Sequence, residues 1–216
     1  MRIQNITGKK ISVMFVNYDM HNDNYKLHKL QRDLMDNHIR VFNNVLEKET
    51  CENIIEKFES LKDEHENFPE NKPFFTQINF SKSDNWTNES HILLNLFTEY
   101  LEKYRNSCKI EKKQWPLNYT LEPIRMKRYL PNDSDEFPPH VDVDASKNLS
   151  RFLAFFLYLT TNKEGDTLFP NVPYVSPCIQ GSLLMFPPAW CWLHQGRKPI
   201  GSSKYIVGSY LHYVNS

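Results

Sequence analysis

After Trp115 the sequence breaks into short runs of β-branched, aromatic and aliphatic residues, each closed off by Pro, Gly, Asn or Asp. This texture restricts the second half of the chain to strands. Strands are expected near Ile124–Tyr129, His140–Val143, Phe152–Leu159, Leu183–Phe186, Trp190–His194 and Tyr205–Val214. Ahead of them lie two stretches of helical period. Cys51, Ile54, Ile55, Phe58 and Leu61 recur at helical spacing behind a capping residue at or beside Thr50. Leu93, Phe97, Tyr100, Leu101 and Tyr104 form one stripe within Ser90–Arg105. Both stripes read as core faces. Helices followed by many closely spaced strands predict a mainly β domain, a barrel or sandwich with the helices packed outside. Pro138 and Pro139 carry no N–H for a sheet ladder, so they are expected to mark the start of the His140 strand.

At 216 residues with 40% hydrophobic, the chain has the length of about one large domain and can bury a sizeable core. Residues 1–37 are polar, rich in Asn, Asp, Lys and His, with one short strand candidate at Ile11–Val16. They are expected to form an extension, with the domain proper over 38–216. Lys plus Arg and Asp plus Glu stand at 26 each, so the net charge is zero. That argues against nucleic acid as a partner, because phosphate neutralisation needs a basic surface. Cys51, Cys108, Cys178 and Cys191 show no C-x-x-C spacing and read as free thiols of a reducing compartment. No apolar run approaches the roughly 20 residues of a membrane helix, and the N-terminus lacks the apolar core of a secretory signal. The expectation is a cytoplasmic protein with no membrane partner; oligomeric state leaves no signature.

The chemistry is concentrated in the stretch FPPHVDVDAS. It places His140, Asp142 and Asp144 at alternate positions, which share a face if the segment is a strand. An imidazole and a carboxylate two residues apart can grip one metal ion. The pattern alone is weak, since His21-Asn22-Asp23 repeats it in a polar stretch without strand character and reads as a solvated coincidence. The His140 copy gains weight from His194, which ends the aromatic segment PPAWCWLHQG. On a strand, Trp190, Trp192 and His194 share a face, and an imidazole there needs a partner, either a backbone carbonyl or a metal. Asp144 reads as a loop residue. Two His and one carboxylate leave three adjacent octahedral positions open, as non-haem Fe(II) oxygenases require; zinc with the same ligands and a water is the chemical rival. Lys204 opens the strand in GSSKYIVGSYLHY. It is either a strand-end lysine reaching water or a cation for the far carboxylate of a dicarboxylate.

In this order the landmarks resemble the Fe(II)/2-oxoglutarate dioxygenases, and within them the prolyl 4-hydroxylase-like group. The resemblance runs from about Ile39 to Val214. It is most specific from Tyr129 to Tyr213: Tyr129, His140-x-Asp142, Arg151 leading into FLAFFLYLTTNKEGDTLFP, then GSLLMFPPAWCWLHQG and Lys204. It implies a double-stranded β-helix (jelly-roll) barrel with N-terminal helices packed outside. His140, Asp142 and His194 would be the iron ligands. Lys204 would pair with the 5-carboxylate of 2-oxoglutarate, helped by the hydroxyl of Tyr129 or Tyr158. Arg151, Tyr210 and His212 would face the substrate, with a surface ion pair the plainer reading of Arg151 and an edge-strand histidine that of His212. Three departures stand out: Phe137 replaces a tyrosine three before the first His, the Gly-Gly-Glu-Thr turn is shortened to Gly165-Asp166-Thr167, and Tyr210 replaces a substrate-side tryptophan. The activity implied is hydroxylation of an unactivated C–H bond, foremost in peptidyl proline, with Fe(II) and 2-oxoglutarate as cofactors. Succinate and CO₂ would be the coproducts, ascorbate would keep the iron reduced, and a peptide or protein would be the partner. A free amino acid or other small molecule as substrate, or a non-catalytic barrel, are the alternatives. The apolar strand Phe152–Leu159 and the tryptophans would form the dry wall of the site.

Overall fold

The structure is a computed structural model that describes residues 38–67, 74–144, 148–172 and 174–214. The strand expected at Ile11–Val16, the His21-Asn22-Asp23 pair and the extension over 1–37 lie outside the described residues. In chain order the elements are β1 (Arg40–Phe42), α1 (Lys48–Ser60), β2 (Glu66–Asn67), β3 (Thr76–Asn79), α2 (Thr87–Ser107), β4 (Tyr119–Leu121) and β5 (Arg125–Tyr129). There follow β6 (Phe137–His140), β7 (Arg151–Tyr158), β8 (Asn162–Phe169), β9 (Tyr174–Cys178), β10 (Ser182–Phe186), β11 (His194–Gly196) and β12 (Lys204–Tyr213). A large sheet runs β1-β10-β7-β12-β5-β3-β2, with β4 beside the end of β12, and a small sheet runs β6-β11-β8-β9. The result is the mainly β jelly roll with flanking helices that the strand spacing and the resemblance imply.

Period two explains how the large sheet is buried on both faces. In β7, Leu153, Phe155 and Leu157 turn toward the helices and join Ile54, Phe58 and Phe97. Ala154, Phe156 and Tyr158 turn the other way and meet Phe169, Phe186 and Ile206 inside the barrel. β10 divides likewise, Leu183 and Met185 outward, Leu184 and Phe186 inward. A strand covered on both faces reads as an unbroken apolar run, which is why these two were plain in the sequence. Each large side chain fully buried in this way contributes about 1.5–3 kcal/mol.

The helices bury the expected stripes, with adjusted ends. α1 starts at Lys48, so Thr50 lies inside it and Glu47 takes the cap position without a side-chain bond. In α2, Leu96 is buried while Tyr100 is only partly so.

Three strand expectations need correction. Pro138 and Pro139 sit within β6 instead of ahead of it, and the strand ends at His140. β6 is the edge of the small sheet and pairs only through Phe137 and His140, so the missing N–H groups cost no ladder bond. Trp190–His194 is not a strand: the Trp192 N–H donates to the Ala189 carbonyl at 2.9 Å in a turn, and β11 begins where a strand was expected to end. Trp190 is 81% exposed and forms no wall of the site. Gly165-Asp166-Thr167, expected as a turn, lies inside β8. An irregularity between Asn162 and Thr167 breaks the period of that polar strand and hides it in the sequence.

One glycine is fixed by its surroundings. Gly181 has φ +73°, its N–H donates to the Tyr158 carbonyl at 2.8 Å, and its own carbonyl accepts from Val45 at 2.8 Å. An added Cβ would lie 2.4 Å from the Leu46 carbonyl oxygen, a backbone atom that cannot swing away. Gly201 has a similar φ of +79° in open space. Gly201→Ala is therefore expected to cost only the left-handed penalty of about 1–2 kcal/mol, and Gly181→Ala distinctly more. Urea-unfolding midpoints measure the difference; equal losses would show that the Leu46 contact does not matter.

Candidate metal centre

His140 closes β6 and His194 opens β11, and the two are direct partners across that antiparallel pair. Their ring centroids are 4.2 Å apart. Asp142 reaches the same point from the bend after β6, because the chain leaves the strand at His140 and folds back. The His140 Nε2 lies 3.5 Å from Asp142 Oδ1, and the His194 Nε2 lies 3.3 Å from Asp142 Oδ2. Both imidazoles are oriented from behind. His140 Nδ1 meets the Pro138 carbonyl at 2.8 Å and His194 Nδ1 meets the Trp192 carbonyl at 3.0 Å. A carbonyl can only accept, so each Nδ1 carries a hydrogen, and in the neutral ring Nε2 is then the lone-pair nitrogen that faces the centre.

The consequence is electrostatic. Asp142 Oδ2 and His194 Nε2 are buried and have no hydrogen-bond partner. Two bare acceptors facing one another at 3.3 Å repel, and leaving them desolvated is costly. A cation between them removes both penalties, and this donor set of two imidazoles and one carboxylate suits a divalent transition metal. Burial drives the His194 imidazole down to about 4, so it is neutral and ready to ligate near neutral pH. Burial pushes the Asp142 carboxyl up, but its polar surroundings, the two imidazoles and the Tyr210 hydroxyl, outweigh that and hold it below its usual range.

Phenylalanines enclose the centre. Phe156, Phe169 and Phe186 lie 6.1, 6.0 and 4.8 Å from the His194 ring, and Phe137 stacks on His140 at 3.8 Å. These rings take the place expected of the tryptophans.

A pocket opens beside these three side chains, and Lys204 stands in its wall opposite Tyr129, its partner in register. Lys204 is 1% exposed. Its Nζ sits 5.4 Å from the Tyr129 ring and 6.0 Å from the Tyr158 ring, with only a long 3.5 Å contact to the Arg197 carbonyl. A glycine makes room for it: a Cβ on Gly165 would press on its Cδ at 3.0 Å. Burial lowers its pKa to about 8. Among the described residues no carboxylate is paired with this buried ammonium.

The remaining expected residues are placed as follows. Tyr129 and Tyr210 line the pocket, and the Tyr210 hydroxyl donates to Asp142 Oδ1 at 2.8 Å. Tyr158 lies behind the wall; its hydroxyl bonds Thr167 Oγ1 at 2.7 Å, and Thr167 is the group that faces the cavity. Arg151 is held by Glu122 through two bonds of 2.6 and 2.8 Å, and its guanidinium covers the Tyr210 ring at 4.0 Å. His212 lies outside the pocket and meets Ser150 Oγ at 3.3 Å, after a register shift against β7. Sequence reasoning missed Arg125, Lys127 and Thr167 as lining residues. For the first two the signal was present, since they alternate with Tyr129 along one strand.

This helix-flanked jelly roll is a fold shared with solved prolyl hydroxylases. Among solved structures the chain is similar to a viral collagen prolyl hydroxylase from Paramecium bursaria Chlorella virus-1 in complex with 2-oxoglutarate, with TM-score 0.61 and 17% identity over 82% of this chain and 97% of that one. It is also similar to a prolyl hydroxylase from Trichoplax adhaerens in complex with a hypoxia inducible factor peptide fragment, with TM-score 0.60 and 14% identity over 90% and 96%. A Pseudomonas putida prolyl-4-hydroxylase gives TM-score 0.58 and 12% identity over 88% and 100%. No protein-family model and no curated protein matches the sequence. Among the described residues no helix is long and apolar enough to cross a membrane.

Proposed function

We propose that this chain is an Fe(II)- and 2-oxoglutarate-dependent dioxygenase that hydroxylates an unactivated C–H bond, with peptidyl proline as the leading substrate. The observation that carries this reading is the pair of buried bare acceptors on Asp142 and His194, in one pocket with the buried, unpaired Lys204. A zinc hydrolase would use the three ligands but has no need of the lysine. The 2-oxoglutarate complex of the viral relative supports the cosubstrate, and the peptide complex of the Trichoplax relative supports a peptide substrate.

In this mechanism His140, Asp142 and His194 would hold the metal. Bound Fe(II), with 2-oxoglutarate and O₂, supplies the oxidation: one oxygen atom enters the substrate C–H bond and the other the succinate, with CO₂ released. The protein's share is orientation and exclusion of water. Tyr210 holds the carboxylate of Asp142; burial and the adjacent carboxylate raise its phenol well above the usual range, so it remains a donor. Lys204 fixes the 5-carboxylate of the cosubstrate, with Tyr129 and Thr167 completing that end of the pocket. Phe156 and Phe186 keep the reacting face dry. Arg151 backs Tyr210.

Succinate release measured with Fe(II), ascorbate, 2-oxoglutarate and proline-containing peptides tests the reading. Iron-dependent succinate that rises with peptide is expected. A rise with free amino acids alone would move the substrate to small molecules, and no iron-dependent succinate with either would leave a binding barrel.

A further inference from the structure

Lys204 is not alone in facing the pocket. β5 projects Arg125, Lys127 and Tyr129 to one side, and that side is the cavity wall. The register sets Tyr129 beside Lys204, Lys127 beside Ile206 and Arg125 beside Gly208. Two residues of strand advance about 6.6–6.8 Å. Lys127 therefore stands one such step from the buried Lys204, on the way to the partly exposed Arg125. Its Nζ rests 4.8 Å from the Phe75 ring and 5.0 Å from Phe137, and Phe137 stacks on the ligand His140. Among the described residues Lys127 makes no ion pair and no hydrogen bond, whereas Arg125 shares Glu122, at 3.6 Å, with Arg151.

The charges of the proposed complex close without Lys127. The ferrous ion and Lys204 are balanced by Asp142 and the two carboxylates of 2-oxoglutarate. Lys127 is left as an unmatched cation beside the metal in a cleft walled by aromatic rings, where an unpaired charge is costly. We propose that Lys127 anchors a carboxylate of the substrate, one strand step outward from the cosubstrate's own anchor. The inference rests on the dioxygenase reading and narrows its substrate class to molecules with a carboxylate close to the oxidised carbon. That carboxylate belongs to a neighbouring Asp or Glu in a peptide, or is the α-carboxylate of a free amino acid.

The test uses full-length protein loaded with Mn(II) and N-oxalylglycine, an unreactive 2-oxoglutarate mimic, titrated by calorimetry. The probes are acetyl-Gly-Pro-Glu-amide and its Gln twin, and L-proline and L-prolinamide. At least one acid is expected to bind roughly tenfold or more tightly than its neutral twin, and the pair that shows it identifies the source of the carboxylate. That preference should fall below about twofold in Lys127→Met and persist in Lys127→Arg. Twins that bind alike, acids that do not bind, or a preference that survives in Lys127→Met overturn the proposal. A loss of N-oxalylglycine affinity of about tenfold in Lys127→Met also overturns it, by assigning the lysine to the cosubstrate. If the wild type fails to take up N-oxalylglycine at all, the dioxygenase reading itself falls before any probe is added.

Discussion

His194→Ala is expected to abolish tight metal binding and to lower 2-oxoglutarate turnover by about a thousandfold or more. In the proposed site three ligands would share one ion, and two of them, His140 at the end of β6 and Asp142 two residues on, come from the same short segment. His194 is the one that ties this segment to β11, so its loss leaves a flexible bidentate site. Each factor of ten in rate corresponds to about 1.4 kcal/mol, and losing one of three bonds to a transition metal exceeds several of these. Stability gives a second readout. A ligand that binds only the folded state stabilises it by about 4 kcal/mol at a thousandfold its dissociation constant. Mn(II) should accordingly raise the melting temperature of the wild type and leave that of His194→Ala unmoved. The variant also loses the repulsion between His194 Nε2 and Asp142 Oδ2, which offsets part of the cavity left among Phe156, Phe169 and Phe186. An equal shift with Mn(II) in both proteins would place the metal elsewhere.

The parts of this site that were legible in the sequence are those set by strand periodicity and by strongly apolar runs. β7, β10 and β12 came out within a residue or so of their bounds because both of their faces are buried. β8 escaped notice, since its polar side chains alternate about an irregularity and its glycine signalled a turn. His140 and Asp142 were paired on the wrong geometry: only His140 is on a strand, and Asp142 converges on it through a bend. His194 was expected to be either a core histidine held by a carbonyl or a ligand. The carbonyl is there, since Nδ1 meets Trp192, and Nε2 on the other side of the ring faces Asp142. Its aromatic surroundings were misattributed, because the nearest aromatics in sequence are tryptophans whereas those in space come from β7, β8 and β10. Arg151 likewise matched a motif, yet its nearest anion is Glu122, a residue that no local pattern connects to it.

Replacing Lys204 by methionine, which keeps the volume and removes the charge, is expected to weaken 2-oxoglutarate binding about ten- to a hundredfold, as a charge-assisted bond of about 1.5–3 kcal/mol requires. Mn(II) affinity should stay within a few-fold, because Lys204 does not touch the ligands. The pH dependence separates this lysine from a general loss of shape. Burial brings its pKa from 10.5 to about 8. Below that value the ammonium is present to receive the dianion, and affinity is level; as pH rises through it, the charge is lost and affinity falls. Protein without cosubstrate shows the reverse trend. Between about 8 and the unfolded value of 10.5 the unfolded chain holds the extra proton, so stability rises with pH over that window. One group thus predicts opposite slopes for cosubstrate affinity and for unliganded stability. Lys127 carries a similar value of about 8, so the decisive comparison is with Lys127→Met: the slope in 2-oxoglutarate affinity should persist there and vanish in Lys204→Met. A slope that survives the loss of Lys204 would mean that another cation holds the cosubstrate.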